Sequence, residues 1–163
     1  MLNARIRSRV GVVTLAIVAL AAPVTACAPE KGADDDAPNQ VTVIGLDYSF
    51  GSPDTLPPGP TAITFENRGA VPHEMILTRL KAGITLDNVL EGIRQGADPA
   101  EFTEGGASVL IADAGSTSDI RVLVDLLPGR TYALVCNFQD QPDAPPHIQL
   151  GMRKTFYVAG GTD

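Results

Sequence analysis

The chain has 163 residues, and its 19 acidic residues outnumber its 12 Lys and Arg, which gives a formal net charge of −7. An acidic chain is expected neither to bind nucleic acid nor to adhere to anionic lipid through its charge. The length suffices for one domain with a hydrophobic core and excludes an assembly of several such domains.

The N-terminus has the features of an export signal. Arg5, Arg7 and Arg9 precede an apolar run over residues 10–24, which is short for a membrane-spanning helix. The small residues that follow, ending at Cys27, resemble a bacterial lipobox. The resemblance implies that residues 1–26 are a lipoprotein signal peptide and that Cys27 is lipidated. Ordinary cleavage nearby, with Cys27 free or removed, is the alternative.

Residues 27–40 are predicted to be a disordered acidic tether, because they combine Pro and Gly with the aspartate run 34–36 and few apolar residues. Such a tether reaches roughly 20 Å. The predicted protein is therefore exported and faces the periplasm or the cell exterior. Its lipid anchor is its only expected contact with the membrane.

The rest of the chain, residues 41–160, is predicted to be one all-β domain. Apolar residues alternate in short segments that Gly and Pro separate, a pattern typical of strands. The predicted strands lie at 41–50, 62–67, 74–80, 120–126, 131–138 and 154–158. Several short strands bounded by turns predict a Greek-key β-sandwich.

A short helical insertion is predicted around residues 85–104. Its apolar residues follow helical spacing, with Thr85 as N-cap and Gly96 past the end, and Asp98 begins a second, shorter turn. The apolar stripe is interpreted as a packing face and consists of Leu86, Val89, Leu90 and Ile93.

The chain contains only two His, two Cys and three Met, and four of these side chains form a suggestive series. Ten residues separate Cys136 from His147, and four separate His147 from Met152, while His73 lies upstream. A thiolate, two imidazoles and a thioether are the ligands of a mononuclear copper site. If Cys27 is lipidated, Cys136 keeps an unpaired thiol, which either metal ligation or burial as a small apolar residue would explain.

The expected positions of these donors favour a single site. Cys136 lies near the end of an apolar strand, His147 in the following loop, and Met152 just before the last strand. His73 directly precedes another strand. All four could therefore meet at one end of the sandwich, with His147 near the surface.

Residues 132–136, followed by His147, Met152 and a closing strand, are similar to the C-terminal signature of the cupredoxins, the blue-copper family that includes plastocyanin. Residues 65–73 resemble the first-histidine segment of that family. The resemblance implies one type 1 copper ion, with His73, Cys136 and His147 as equatorial ligands and Met152 as the axial ligand.

The chain departs from the family pattern at two places. The loop between Cys136 and His147 is longer than in small electron carriers, although the blue-copper domains of copper nitrite reductases also have long loops. Three prolines in this loop stiffen it. Glu74 stands where the family usually has an asparagine that braces the cysteine loop.

Three other side chains receive structural interpretations. Tyr132 follows a Pro-Gly turn and is predicted to be a tyrosine-corner residue. Met75 is predicted to enter the core. Asp140 and Asp143 are interpreted as a solvated loop face rather than as hard metal ligands.

The predicted function is electron transfer by a membrane-tethered, monomeric copper protein, whose partner would be a redox protein. The alternatives are extracytoplasmic copper handling (storage, delivery or resistance) with a copper donor or acceptor protein as partner, and a metal-free interaction module. The chain has no hydrolytic elbow, phosphate-binding glycine loop or zinc-type cysteine pair, so it is not expected to be an enzyme.

Overall fold

A computed structural model of the chain describes residues 37–160. The predicted signal peptide, Cys27 and most of the predicted tether lie outside the described residues. The strands are Asn39–Leu46 (β1), Ser49–Gly51 (β2), Thr55–Leu56 (β3), Gly59–Asn67 (β4), His73–Leu80 (β5), Thr103–Ala112 (β6), Val122–Leu126 (β7), Thr131–Val135 (β8) and Arg153–Val158 (β9). The helices are Leu86–Arg94 (α1) and His147–Leu150 (α2). Within the described range, no helix has the length and apolar character needed to cross a membrane.

The strands form two sheets that pack face to face. One sheet has the order β2-β1-β4-β7 and the other the order β3-β9-β8-β5-β6. β1 runs parallel to β4 and β3 parallel to β9, whereas the other pairs are antiparallel. The chain crosses between the sheets after β2, β3, β4, β6 and β7. The predicted all-β Greek-key sandwich is confirmed.

The core lies between the two sheets and follows the period-two pattern of the strands. Ile63 and Phe65 on β4 are both fully buried, as is Met75 on β5, which enters the core as predicted. The Tyr132 hydroxyl accepts a hydrogen bond from the backbone N–H of Leu127 at 3.0 Å, as expected for a tyrosine corner. This bond ties the turn before β8 to the strand that follows it.

The helical insertion forms on the outer face of the second sheet. The Thr85 hydroxyl accepts a hydrogen bond from the N–H of Asn88 at 3.2 Å, which confirms the predicted N-cap. Asp98 caps a 3₁₀ turn over Pro99–Glu101 in the same way. From α1, Val89 packs against a small cluster of the sheet. The expected packing face is therefore present, although Ile93 at its far end remains exposed.

Several strand expectations differ from the structure, and the strand expected at 131–138 ends at Val135. β6 was not expected, because its two consecutive glycines and its exposed Val109 and Ile111 hide the alternation of a half-buried strand. β7 begins at Val122, and Ile120, expected to point inward, is 67 % exposed. The segment expected as one strand at 41–50 is instead a hairpin, with β1 beginning at Asn39 and a turn separating it from β2.

One pole of the sandwich collects the ends of several strands. The parallel pair β1 and β4 ends there, where Gly45 is paired with Asn67. β5 begins at the same pole, where His73 is paired with Ala112 at the end of β6. Because β8 is antiparallel to β5, the residues that follow β8 also reach this pole. The opposite pole contains the start of β1.

Candidate metal centre

Each predicted donor occupies the end of an element at this pole. His73 is the first residue of β5, and Cys136 directly follows β8. His147 is the first residue of the short helix α2 rather than a loop residue, with Pro146 as its N-cap. Met152 directly precedes β9. Antiparallel pairing of β5, β8 and β9 therefore brings together segments that are far apart in sequence.

The structure brings three of the four donors into one buried cluster. Nδ1 of His73 lies 3.0 Å from Nδ1 of His147, and Sγ of Cys136 lies 3.5 Å from Nδ1 of His147. One donor atom from each residue lies within 4.8 Å of the other two. All three side chains are at most 1 % exposed. Two imidazole nitrogens and a sulfur thus converge in a water-excluded setting.

Met152 is joined to this cluster through the backbone. Its N–H donates to the carbonyl of His147 at 2.9 Å, and its carbonyl accepts from the N–H of Cys136 at 3.2 Å. Its side chain is fully buried, and a Cβ placed on Gly45 would lie 3.5 Å from its terminal methyl group. The backbone of Met152 therefore lies beside Cys136 and His147, and the role of its thioether as a ligand stays a prediction.

Glu74 holds the cysteine loop in place. Its backbone N–H points at Sγ of Cys136 at 3.4 Å, and its carboxylate accepts the N–H of Asn137 at 2.8 Å. The side chain that departs from the family pattern thus contacts the loop that the usual asparagine would brace. Burial raises the pKa of the Cys136 thiol, while the N–H of Glu74 acts in the opposite direction by stabilising the thiolate.

Asn67 orders the segment that leads to His73. Its buried amide donates to the carbonyls of Val71 at 2.8 Å and Ala112 at 3.1 Å, and its oxygen accepts the N–H of Gly69 at 2.9 Å. A buried amide with all these partners fixes the loop between β4 and β5. The position of His73 is therefore set by backbone contacts on both sides.

A carboxylate lies beside the outer nitrogen of each histidine. Nε2 of His147 lies 3.0 Å from Oδ1 of Asp140, and Nε2 of His73 lies 3.4 Å from Oδ1 of Asp47. The second contact is within ion-pair distance but lacks hydrogen-bond geometry, since Nε2 of His73 has no hydrogen-bond partner in the described residues. Burial, and secondarily the neighbouring His147, lowers the pKa of His73. The lowered pKa favours the neutral form of His73, and Nδ1 of both rings is directed at the cluster.

One expectation about this loop is incomplete and another is wrong. Asp140 is exposed, as expected of a solvated loop face, but it also contacts both His147 and the hydroxyl of Tyr48. His147 does not lie near the surface, since only 1 % of it is exposed. No sequence signal singled out Asp47 or Tyr48, which lie in the turn between β1 and β2.

The long cysteine-to-histidine loop is closed by hydrogen bonds between its own residues. The N–H of His147 donates to the carbonyl of Phe138 at 2.8 Å, and the N–H of Ile148 donates to the carbonyl of Cys136 at 2.7 Å. Gln139 donates from its side chain to the carbonyl of Ala144 at 2.5 Å. These bonds close the loop at its base, so its length does not separate the two donors.

The chemistry of the cluster fits copper. Two imidazole nitrogens and one thiolate are the trigonal donor set of type 1 copper, and a weak axial thioether completes it. The carboxylate beside each outer imidazole nitrogen is a common support for a metal-binding histidine. The donors therefore fit one type 1 copper ion.

Comparisons with known proteins give similarities at the level of the structure. No protein-family model matches the chain, and no curated protein matches its sequence. An auracyanin from Roseiflexus castenholzii has a TM-score of 0.48 at 17 % identity, over 74 % of this chain and 97 % of its own. Auracyanin A, a "blue" copper protein from Chloroflexus aurantiacus, has a TM-score of 0.44 at 19 % identity, over 74 % and 98 % of the two chains. Spinach plantacyanin has a TM-score of 0.36 at 14 % identity, over 73 % and 98 %.

The chain folds as a two-sheet β-sandwich, and the buried His-Cys-His cluster at one pole of the sandwich fits the donor set of type 1 copper.

Proposed function

We propose that the domain binds one copper ion through Nδ1 of His73 and His147 and the thiolate of Cys136, with the Met152 thioether as axial ligand. The observation that supports this most is the convergence of three buried donor atoms within 4.8 Å. Bound copper would supply a one-electron step between Cu(II) and Cu(I). We therefore propose that the protein transfers single electrons to or from a redox partner protein.

The residues around the cluster suit this role because they restrain the donors. The N–H of Cys136 donates to the carbonyl of Met152, and its carbonyl accepts from the N–H of Ile148. The N–H of Glu74 donates to its sulfur. His73 begins a strand that is paired on both sides. Donors that cannot move far require little rearrangement when the charge of a bound metal changes. This is the property that an electron carrier needs.

Electron transfer also agrees better with the cluster than an enzymatic role does. Oxidases and reductases of this type need a second copper centre. Among residues 37–160, one group of three metal-ligating side chains is present, and all its members belong to the proposed site. We propose that the protein is a carrier and not an enzyme, and that it acts as a monomer.

We further propose that the protein is exported and anchored through a lipid on Cys27, facing the periplasm or the cell exterior. The basic residues, the apolar run and the small residues before Cys27 support this. In the described domain, β1 starts at the pole opposite the metal cluster. A tether entering there would leave the cluster pole free for a partner. Metabolic labelling with a fatty-acid analogue tests the anchor, since a Cys27→Ala variant should lose the label.

Titration with both copper oxidation states tests the function. Copper-loaded wild-type protein should develop the intense visible band of thiolate-to-Cu(II) charge transfer, and Cys136→Ser should abolish it. Reversible bleaching by a reductant would support electron transfer. A colourless Cu(II) complex would reject it, and tight Cu(I) binding without a stable Cu(II) form would select copper storage, delivery or resistance.

Thermal melting separates these roles from a metal-free interaction module. A ligand that binds only the native state must raise its stability. The melting temperature of wild-type protein should therefore increase with copper, and that of Cys136→Ser should increase much less. Equal melting with and without copper would favour the metal-free module.

A further inference from the structure

The turn between β1 and β2 places a strained tyrosine over the cluster. Tyr48 has a φ angle of +64°, and it is the one residue other than glycine with a positive φ in the described part of the chain. A bulky side chain is unfavourable in this left-handed region, where Gly or Asn is usual. Strain of this kind persists where the surrounding structure enforces it, which commonly happens at functional sites.

The side chain of Tyr48 connects to His147 through Asp140. The Tyr48 hydroxyl donates to Oδ2 of Asp140 at 2.5 Å, and Nε2 of His147 lies 3.0 Å from the other carboxylate oxygen. The tyrosine ring also meets the imidazole of His147 edge-on, with centroids 5.0 Å apart and planes at 74°. Tyr48 and Asp140 are 92 positions apart in sequence. Their hydrogen bond joins the β1–β2 turn to the cysteine-to-histidine loop beside the imidazole of His147.

The alternative is that this is an ordinary surface hydrogen bond between two loops. Three features argue against that alternative. Both carboxylate oxygens of Asp140 are used, and one of the two partners is a buried ring nitrogen. The conformation of Tyr48 is strained, so a glycine or asparagine would satisfy the turn better. Finally, the two side chains together cover an imidazole that is only 1 % exposed.

We propose that Tyr48 and Asp140 are positioning residues for copper, which hold His147 with its proton on Nε2 and Nδ1 free to bind the metal, and shield that ring from solvent. This inference rests on the proposed function. A carboxylate that accepts the Nε2 proton makes the imidazole a stronger donor. A stronger nitrogen donor favours Cu(II) over Cu(I), so the pair biases the site toward the oxidised state.

The effect is specific to one of the two histidines. Asp47 lies 3.4 Å from Nε2 of His73 without hydrogen-bond geometry, and its oxygen instead accepts the N–H of Ala70 at 2.8 Å. His73 is oriented mainly by its strand. Loss of Asp140 should therefore affect His147 and leave His73 in place.

Two variants and one control test the inference. Asp140→Asn removes the charge and one acceptor oxygen, and Tyr48→Phe removes only the hydroxyl while keeping the ring that fills the site. Asp143→Asn is the control, since Asp143 is an exposed aspartate of the same loop. Thermal melting of the copper-free proteins verifies that each variant is folded.

The first measurement is made without metal. NMR of the copper-free protein follows the exchange of the His147 Nε2 proton with solvent. We expect exchange to be at least about tenfold faster in Asp140→Asn and clearly faster in Tyr48→Phe, with Asp143→Asn like wild type. A merely structural role of the loop contact would leave this rate unchanged in any variant that melts like wild type.

The second measurement compares the affinities for the two copper states. Loss of such a support typically lowers metal affinity by about 10–100-fold, and we expect Asp140→Asn to weaken Cu(II) binding about tenfold more than Cu(I) binding. Suppose that the wild-type protein binds copper, but that both variants keep its proton-exchange rate and its ratio of Cu(II) to Cu(I) affinity. That result would overturn this inference and leave the proposed function standing. A wild-type protein that binds copper in neither state would overturn the proposed function and the inference with it.

Discussion

Replacement of Glu74 by alanine is expected to weaken Cu(II) binding about tenfold. The Glu74 carboxylate accepts the N–H of Asn137 at 2.8 Å, next to Cys136. A hydrogen bond to a charged group contributes about 1.5–3 kcal/mol, and partial exposure of this carboxylate places it near the lower figure. Since about 1.4 kcal/mol corresponds to a factor of ten in affinity, losing the brace should cost about one decade.

The design separates the hydrogen bond from the charge. Glu74→Gln keeps an acceptor but loses the charge, so it should lose less affinity than Glu74→Ala, while the backbone N–H that points at Cys136 survives in both. Competition with a chelator of known affinity measures Cu(II) binding. Asp119→Asn, a charge change at an exposed residue outside the cysteine loop, is the control. Wild-type affinity in Glu74→Ala would refute the reasoning, because the cysteine loop would then need no brace.

Two further predictions concern Met152 and His73. Met152→Leu conserves volume and should cost less than about 1.5 kcal/mol of stability, but it removes the axial thioether and should raise the reduction potential measured by voltammetry. An unchanged potential would contradict an axial role. The pKa of His73 is lower in the folded protein than in the unfolded chain, so below a pH of about 6.5 the unfolded state binds more protons and the copper-free domain loses stability. In urea unfolding, this group should lower the free energy of unfolding by at most about 1.4 kcal/mol for each pH unit of acidification. A His73→Gln variant should lack this contribution to the pH dependence.

Local patterns were sufficient to predict many of the elements. Ile63 and Phe65 alternate on β4 and are fully buried, because period-two spacing places them on the inner face of a strand. Thr85 and Asp98 begin helical turns, because their side chains satisfy backbone N–H groups that lack partners at a helix start. Each of these features depends on residues a few positions apart.

β6 shows where local patterns fail. Its glycines and its exposed apolar residues match neither a buried strand nor an amphipathic one. What makes this segment a strand is its pairing with β5, including a bulge between Leu77 and Arg79. Such pairing depends on the partner strand and not on the segment itself.

The hydrogen bonds that Glu74 and Asp140 make around the metal cluster could not be predicted from the sequence either. Glu74 departs visibly from the family pattern, but its contact with Asn137 joins β5 to the loop after β8, and the two residues are 63 positions apart. The contacts of the exposed Asp140 follow from no sequence pattern, because nothing near it in the sequence shows that Tyr48 and His147 flank it. A hydrogen bond depends on direction and on distances of a few tenths of an ångström, which only the packed backbone sets.

The sequence by itself determined the sandwich class, the order of the four sulfur and nitrogen donors, and the chemistry that they could share. These follow from side-chain periodicity and from the affinity of thiolate, imidazole and thioether for copper. Tertiary structure alone decided that the imidazole rings present Nδ1 to one point, that carboxylates stand behind them, and that His147 is covered. Strand order and register bring those groups together, and both result from packing over the whole domain rather than from any single segment.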